Sequence, residues 1–285
     1  MKALKSNMLW TAAALACVSC APVSAQMVTP QIDERTNPLV TAPSYAALAD
    51  LADASEIVLR AQVRRVAEVE PERAPGLAPG QARLYIEART AALIAGNAPV
   101  GESLRYLVDV PLDSRGKVPR LKKADVLLFA RSVPGRPGEI RLVGEGAQML
   151  WTEATEARLR PILRELAAAD APPRVTGVRD ALSVQGNLVG ESETQLFLDT
   201  ASGDPVSISV VRRPGQEPVW GVSWTEIVDQ AARPPQPATL EWYRLACFLP
   251  ARLPDEANLS RDPEARQRAD LDYAFVMAQL GACSR

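Results

Sequence analysis

Apolar and polar positions change period several times along the chain, and each change marks an element. Behind Ser44, a capping residue, Tyr45, Leu48, Leu51 and Ala52 recur at helical spacing and predict a short helix. From Glu56 the period drops to two. Ile57, Leu59, Ala61 and Val63 alternate with Val58, Arg60, Gln62 and Arg64, the signature of a half-buried strand. The phase slips at Arg64-Arg65, so that Val66 looks inward, which predicts a bulge. Leu84, Ile86, Ala88 and Thr90 predict a second strand, and Leu104, Tyr106, Val108 and Val110 a third. Val126–Phe129 is apolar on both faces, as a central strand is, and Glu139–Val143 follows a Pro/Gly turn at 134–138. Pro71–Gly80 reads as a long loop and Ser114–Lys117 as a turn. Bulge, short strands and turn-rich connections together predict a small curled antiparallel barrel over residues 44–151.

Residues 152–171 predict a connecting helix with a stripe of Leu159, Ile162, Leu163 and Leu166, kinked or restarted at Pro161. Residues 172–285 then predict an α+β module. A strand over Val175–Val184 precedes a three-strand meander of Thr194–Thr200, Val206–Arg212 and Val219–Trp224. A short helix is expected over Thr225–Ala232 and a rigid proline linker over Arg233–Pro237. Thr239 caps a helix with Leu240, Tyr243 and Cys247 on one face. Asp262-Pro263-Glu264 opens the last helix, whose buried side is Ala269, Tyr273, Val276, Met277 and Leu280, and Gly281 closes it.

Ahead of all this, Lys2 and Lys5 precede an apolar run from Met8 to Val18 and a small-residue tail ending Val23-Ser24-Ala25. That is the form of a cleavable export leader over residues 1–25, cut before Gln26, and too short to span a bilayer. Lipid anchoring at Cys17 or Cys20 competes with it, although neither cysteine has Leu three residues earlier. Residues 26–43, with Pro30, Pro38 and Pro43, predict an extended tail. The mature protein is therefore expected in the periplasm or secreted, with no transmembrane segment. Only Cys247 and Cys283 remain after cleavage, and two cysteines in an exported chain predict one disulfide.

The order of the first half, with "ADASEIVLRAQV" at 52–63 and "KADVLLFARS" at 123–132, resembles OB-type and netrin-type barrels. The resemblance spans about residues 44–151 and rests on strand pattern. It implies a fold used for binding oligonucleotides, oligosaccharides, peptides or other proteins, and in some netrin-type members for inhibition.

Composition narrows the chemistry. Hydrophobic residues at 47% and charged residues at 23% mark a folding chain. The formal charge is −2, and removing Lys2 and Lys5 takes it to −4, which gives no reason to expect nucleic acid or anionic lipid as partner. Histidine is absent, so Ser-His-Asp and Cys-His nucleophile sites and His-ligated zinc are excluded. No cofactor or metal site is predicted. Phe197–Gly203 passes close to an aspartic-protease signature, but Ala201 stands where Gly is needed; Ser114 and Lys117 share a hairpin, not a helix turn. Acid–base work without imidazole would fall to Glu191 and Glu193 in a Gly-flanked loop, or to Asp199 and Asp204 across a turn. The leading expectation is a non-enzymatic binding or interaction protein of the cell envelope, with a protein or glycan partner. A carboxylate-dependent hydrolase is the alternative and a secreted inhibitor the third reading.

Overall fold

The computed structural model describes residues 42–97, 99–225 and 232–285. The leader, its cut, Cys17, Cys20, the tail up to Thr41 and most of the helix expected over Thr225–Ala232 lie outside the described residues. In chain order the elements are α1 (Tyr45–Asp53), β1 (Ile57–Glu68), β2 (Gln81–Gly96), β3 (Ser103–Pro111), β4 (Asp125–Ser132), β5 (Ile140–Leu142), β6 (Gln148–Leu150), α2 (Glu153–Leu166), β7 (Val175–Gln185), β8 (Ser192–Thr200), β9 (Val206–Arg212), β10 (Val219–Ser223), α3 (Leu240–Ala246) and α4 (Pro263–Leu280).

The first sheet is antiparallel with order β3-β2-β1-β4-β5, and β6 also pairs with β4. Its concave face buries Leu59, Leu84, Ile86, Leu104, Tyr106 and Leu128. Its other face buries Val58, Leu127 and Phe129 under a helical layer made by α1, α2 and α3. Strands β1 and β4 are thus covered on both sides, which is why Val126–Phe129 is apolar without alternation. Register shifts at Val58/Leu59, Arg60/Ala61 and Val63/Arg65 bend β1 against β2, and the last is the bulge at Arg64. The curl does not close. The two edges of the sheet touch through one parallel bridge, Arg105 to Glu139, so the predicted barrel is corrected to an open, strongly curled sheet. The reason lies in β5: three residues long, it leaves β4 at Val143, and the chain returns to β4 only at β6, too far from β3 to extend the ladder.

The second sheet is a four-strand antiparallel meander, β10-β9-β8-β7, one strand wider than the predicted three because β7 pairs with β8 over its whole length. Helix α4 packs on one face and buries Ala269, Tyr273 and Val276 against Leu196, Ile208 and Val210. The caps read at Ser44, Thr239 and Asp262 accept the backbone N–H of Ala47, Trp242 and Ala265, and Thr152, not read as a cap, accepts that of Thr155 at the start of α2. Helix α2 runs unbroken through Pro161, whose missing donor falls on the half-buried side of the helix. Cys247, directly after α3, is disulfide-bonded to Cys283, three residues beyond the end of α4. No described helix is long and apolar enough to cross a membrane.

Candidate functional site

The four acidic candidates occupy two ends of one strand. Glu191 and Glu193 flank the start of β8 and line a cleft of about 440 Å³ with Ser209, Val211, Arg213, Val219 and Arg233. The wall opposite is chain at Ala232, laid so close to β10 that a Cβ on Gly221 would sit 2.3 Å from the Ala232 carbonyl carbon. Only glycine fits there. Glu191 is engaged by its own turn: its Oε2 accepts the Leu188 N–H at 3.2 Å and its backbone N–H donates to the Leu188 carbonyl at 3.0 Å. Glu193 accepts from the Gln195 amide at 2.9 Å. Asp199 lies at the other end of β8, about 20 Å away at strand rise. Asp204 accepts from the Ser202 hydroxyl at 2.7 Å within the β8–β9 turn. The structure brings Glu191 and Glu193 to one cleft and does not bring Asp199 or Asp204 to it.

Two charged centres escaped the sequence reading. Asp272 on α4 is fully buried; its Oδ1 accepts from Arg212 Nε at 2.6 Å and its Oδ2 from the Thr194 hydroxyl at 2.5 Å, and Thr194, its proton so committed, accepts from the Ser183 hydroxyl 2.9 Å away. The signal was present, since Asp272 falls three residues after Ala269 and four before Val276, on the stripe that faces the sheet. Asp53, at the end of α1, receives a two-pronged hydrogen bond from Arg244 of α3, at 2.8 and 3.1 Å, and another from Arg174. Burial alone pushes the Asp53 carboxyl up, but the bonds from Arg244 and Arg174 outweigh it and hold its pKa below the usual value. Nothing local in the sequence pairs residues 191 positions apart. Both centres join packed elements. Among the described residues no three Cys, Asp or Glu side chains gather as a metal site.

A further concavity is the unclosed seam of the first sheet. It has a volume of about 810 Å³ and lies between β3, at Leu107–Pro111, and the β5–β6 segment, at Arg141, Leu142, Gly144–Gly146 and Gln148. Buried Tyr106 donates to Oε1 of Gln148, one of the seam's lining residues, at 2.7 Å, and burial raises the phenol pKa well above its usual value, so this bond is kept across the physiological range. The hydrogen-bonding phase of β3 follows from its ends. Thr90 N donates to Glu102 O and Leu112 N to Gly80 O, so even-numbered residues exchange bonds with β2. Arg105 N donates the opposite way, to Gly138 O at 2.8 Å, so odd-numbered residues face the seam. Leu107 and Asp109 therefore direct their peptide N–H and C=O groups into the seam, where no ladder partner meets them among the described residues. Leu107 is 52% exposed on the outer side. Asp109 is engaged by Arg83 through two bonds of 2.7 and 2.8 Å, and both residues line the seam.

No protein-family model matches the chain, and no curated protein matches it at a significant level.

Proposed function

We propose that this is an exported binding protein of the cell envelope whose partner is an extended polypeptide, received as an added strand along the free edge of β3. The observation that carries the reading is that no strand among the described residues pairs with β3 at the seam-facing peptide groups of Leu107 and Asp109, set in a groove whose far wall is the β5–β6 segment. A free strand edge is a template for main-chain pairing, and side-chain pockets on alternate residues add selectivity. Residues of the incoming strand that point inward would meet Val108, Val110 and Leu142 at the margin of the concave core, which favours apolar side chains at every second position. Such a strand would also carry the curl toward the closed OB-like or netrin-like barrel that the 44–151 pattern resembles. The Cys247–Cys283 disulfide fits the oxidising compartment that the leader implies. The hydrolase reading is the weaker one, because Glu191 is already bound to its own turn and only Glu193 joins it in the cleft.

The test is a photo-crosslinking amino acid placed at Leu107, on the purified protein in envelope extract, compared with the same probe at Arg115 in the β3–β4 loop. A polypeptide adduct at 107 that maps to an extended apolar-alternating segment, and that vanishes when Asp109→Pro removes the seam-facing N–H while leaving the β2 ladder intact, is the expected result. Adducts of equal yield at 107 and 115, or an Asp109→Pro variant that binds undiminished, would overturn the reading. An adduct of twice the chain mass would assign the edge to self-association instead.

A further inference from the structure

The bulge at Arg64 has a second effect, on charge. By inserting one residue between the pairs Val63–Ala88 and Arg65–Glu87, it turns two consecutive arginines outward at the end of β1. Facing them is the turn 121–124, closed by the Ala124 N–H on the Leu121 carbonyl at 2.9 Å and tied to β1 by the Lys123 N–H on the Val63 carbonyl at 2.9 Å. Lys123 has φ +70°, a region that glycine ordinarily occupies in such a turn. Buried Leu121 anchors this turn in the concave core, and Arg120 and Lys122 on either side of it project to solvent. Between the two segments lies a concavity of about 400 Å³ whose lining contains Arg64, Arg65, Arg120 and Lys122 and no carboxylate. Arg65 has one distant ion-pair partner, Glu87 at 3.6 Å; Arg64, Arg120 and Lys122 have none among the described residues. In a chain of net charge −2 this concentration of cations is not a matter of composition.

We propose that this concavity binds a phosphate-bearing ligand. Three guanidinium forks and one ammonium around a hollow fit a dianionic, multi-oxygen group, which can accept several charge-assisted bonds at once; a lone carboxylate leaves most of these donors unused. The site is separate from the β3 seam and does not depend on it. The phosphate could be carried by a soluble compound or by an anionic phospholipid headgroup, and the chemistry at the protein is the same.

The experiment takes the whole purified chain and measures inorganic pyrophosphate binding by calorimetry, and co-sedimentation with phosphatidylglycerol-containing vesicles against pure phosphatidylcholine vesicles. Arg64→Glu/Arg120→Glu and the neutral Arg64→Ala/Arg120→Ala probe the site. Arg252→Glu/Arg261→Glu, at exposed positions outside the concavity, matches the charge change of the first. Binding of pyrophosphate, of the anionic vesicles, or of both is expected, weakened about tenfold or more by both site variants and little by the control. Pyrophosphate alone would assign a soluble phosphate compound, and vesicles alone a headgroup. Binding of neither probe, or equal losses in site and control variants, would overturn the proposal.

Discussion

Asp53 shows how one carboxylate can hold three segments. It receives Arg244 from α3 and Arg174 from the lead into β7, while on the same helix Asp50 accepts the Tyr243 hydroxyl at 2.5 Å and pairs with Arg285 at 2.6 Å. Arg244 is 5% exposed, so replacing Asp53 by Asn leaves a buried cation without its counter-charge. The expected cost is about 3–5 kcal/mol near neutral pH, read by denaturant unfolding. Acid should erase the difference. The folded pKa of Asp53 lies below its unfolded value of about 3.9, so the stabilisation is complete above that value and is lost as pH falls through the folded pKa. Melting temperatures measured from about pH 6 downward should fall more steeply below about pH 4 for the parent than for Asp53→Asn. Parallel curves would show that Asp53 is not charged in the folded protein.

At the scale of elements, the C-terminal segment is held to the helical layer at several points. Cys283 is bonded to Cys247, Trp242 Nε1 donates to the Leu280 carbonyl at 2.8 Å, and Ser44 donates to the Ser284 carbonyl at 2.6 Å. The aromatic residues of the last quarter serve this clamp and the core beneath it: Tyr243 and Tyr273 are each 1% exposed, and Tyr243 meets Phe248 edge to face. The disulfide closes a separation of 36 residues. In the chain-entropy account, Cys247→Ser/Cys283→Ser should lower unfolding free energy by about 4 kcal/mol while leaving the fold intact. Denaturant midpoints with unchanged slope would bear that out; a loss below about 1 kcal/mol would mean that the hydrogen bonds around Trp242 hold the segment without the bridge. Cap residues, the Arg64 bulge and the Asp262-Pro263 start were legible because they depend on neighbours within four positions. The short β6 was not: its three residues pair with β4 where Met149 packs under the helical layer and Gln148 accepts from Tyr106, contacts made by residues far away in the chain.

For the whole molecule, residues 42–285 cluster as one compact unit, with the helical layer shared. Helices α1 and α2 come from the first part of the chain and α3 from the last, and Leu240 and Tyr243 of α3 complete the core above Phe129. A fragment of residues 42–171 would expose that core. It is expected to bind a hydrophobic dye and to melt without a sharp transition, whereas the full chain melts cooperatively. A sharply melting fragment would show that sheet and two helices suffice. The acidic candidates teach the same lesson about distance. Glu191 and Glu193 share a cleft because they sit two positions apart at the start of β8, whereas Asp199 is separated from them by the length of β8, a fact of rise per residue.

Local physics was decided by the amino-acid order alone: the strand and helix periods, the caps, the bulge, the absence of imidazole chemistry and the pairing of the last two cysteines all rest on residues read in short windows or simply counted. Tertiary structure alone decided that the first sheet stays open between β3 and β5–β6, that Asp53 meets Arg244, that Asp272 is buried against Arg212, and that four cations from two distant segments converge on one hollow. Those outcomes depend on how far a bent sheet travels before its edges meet, and small angles summed over five strands are not written in any short window of sequence.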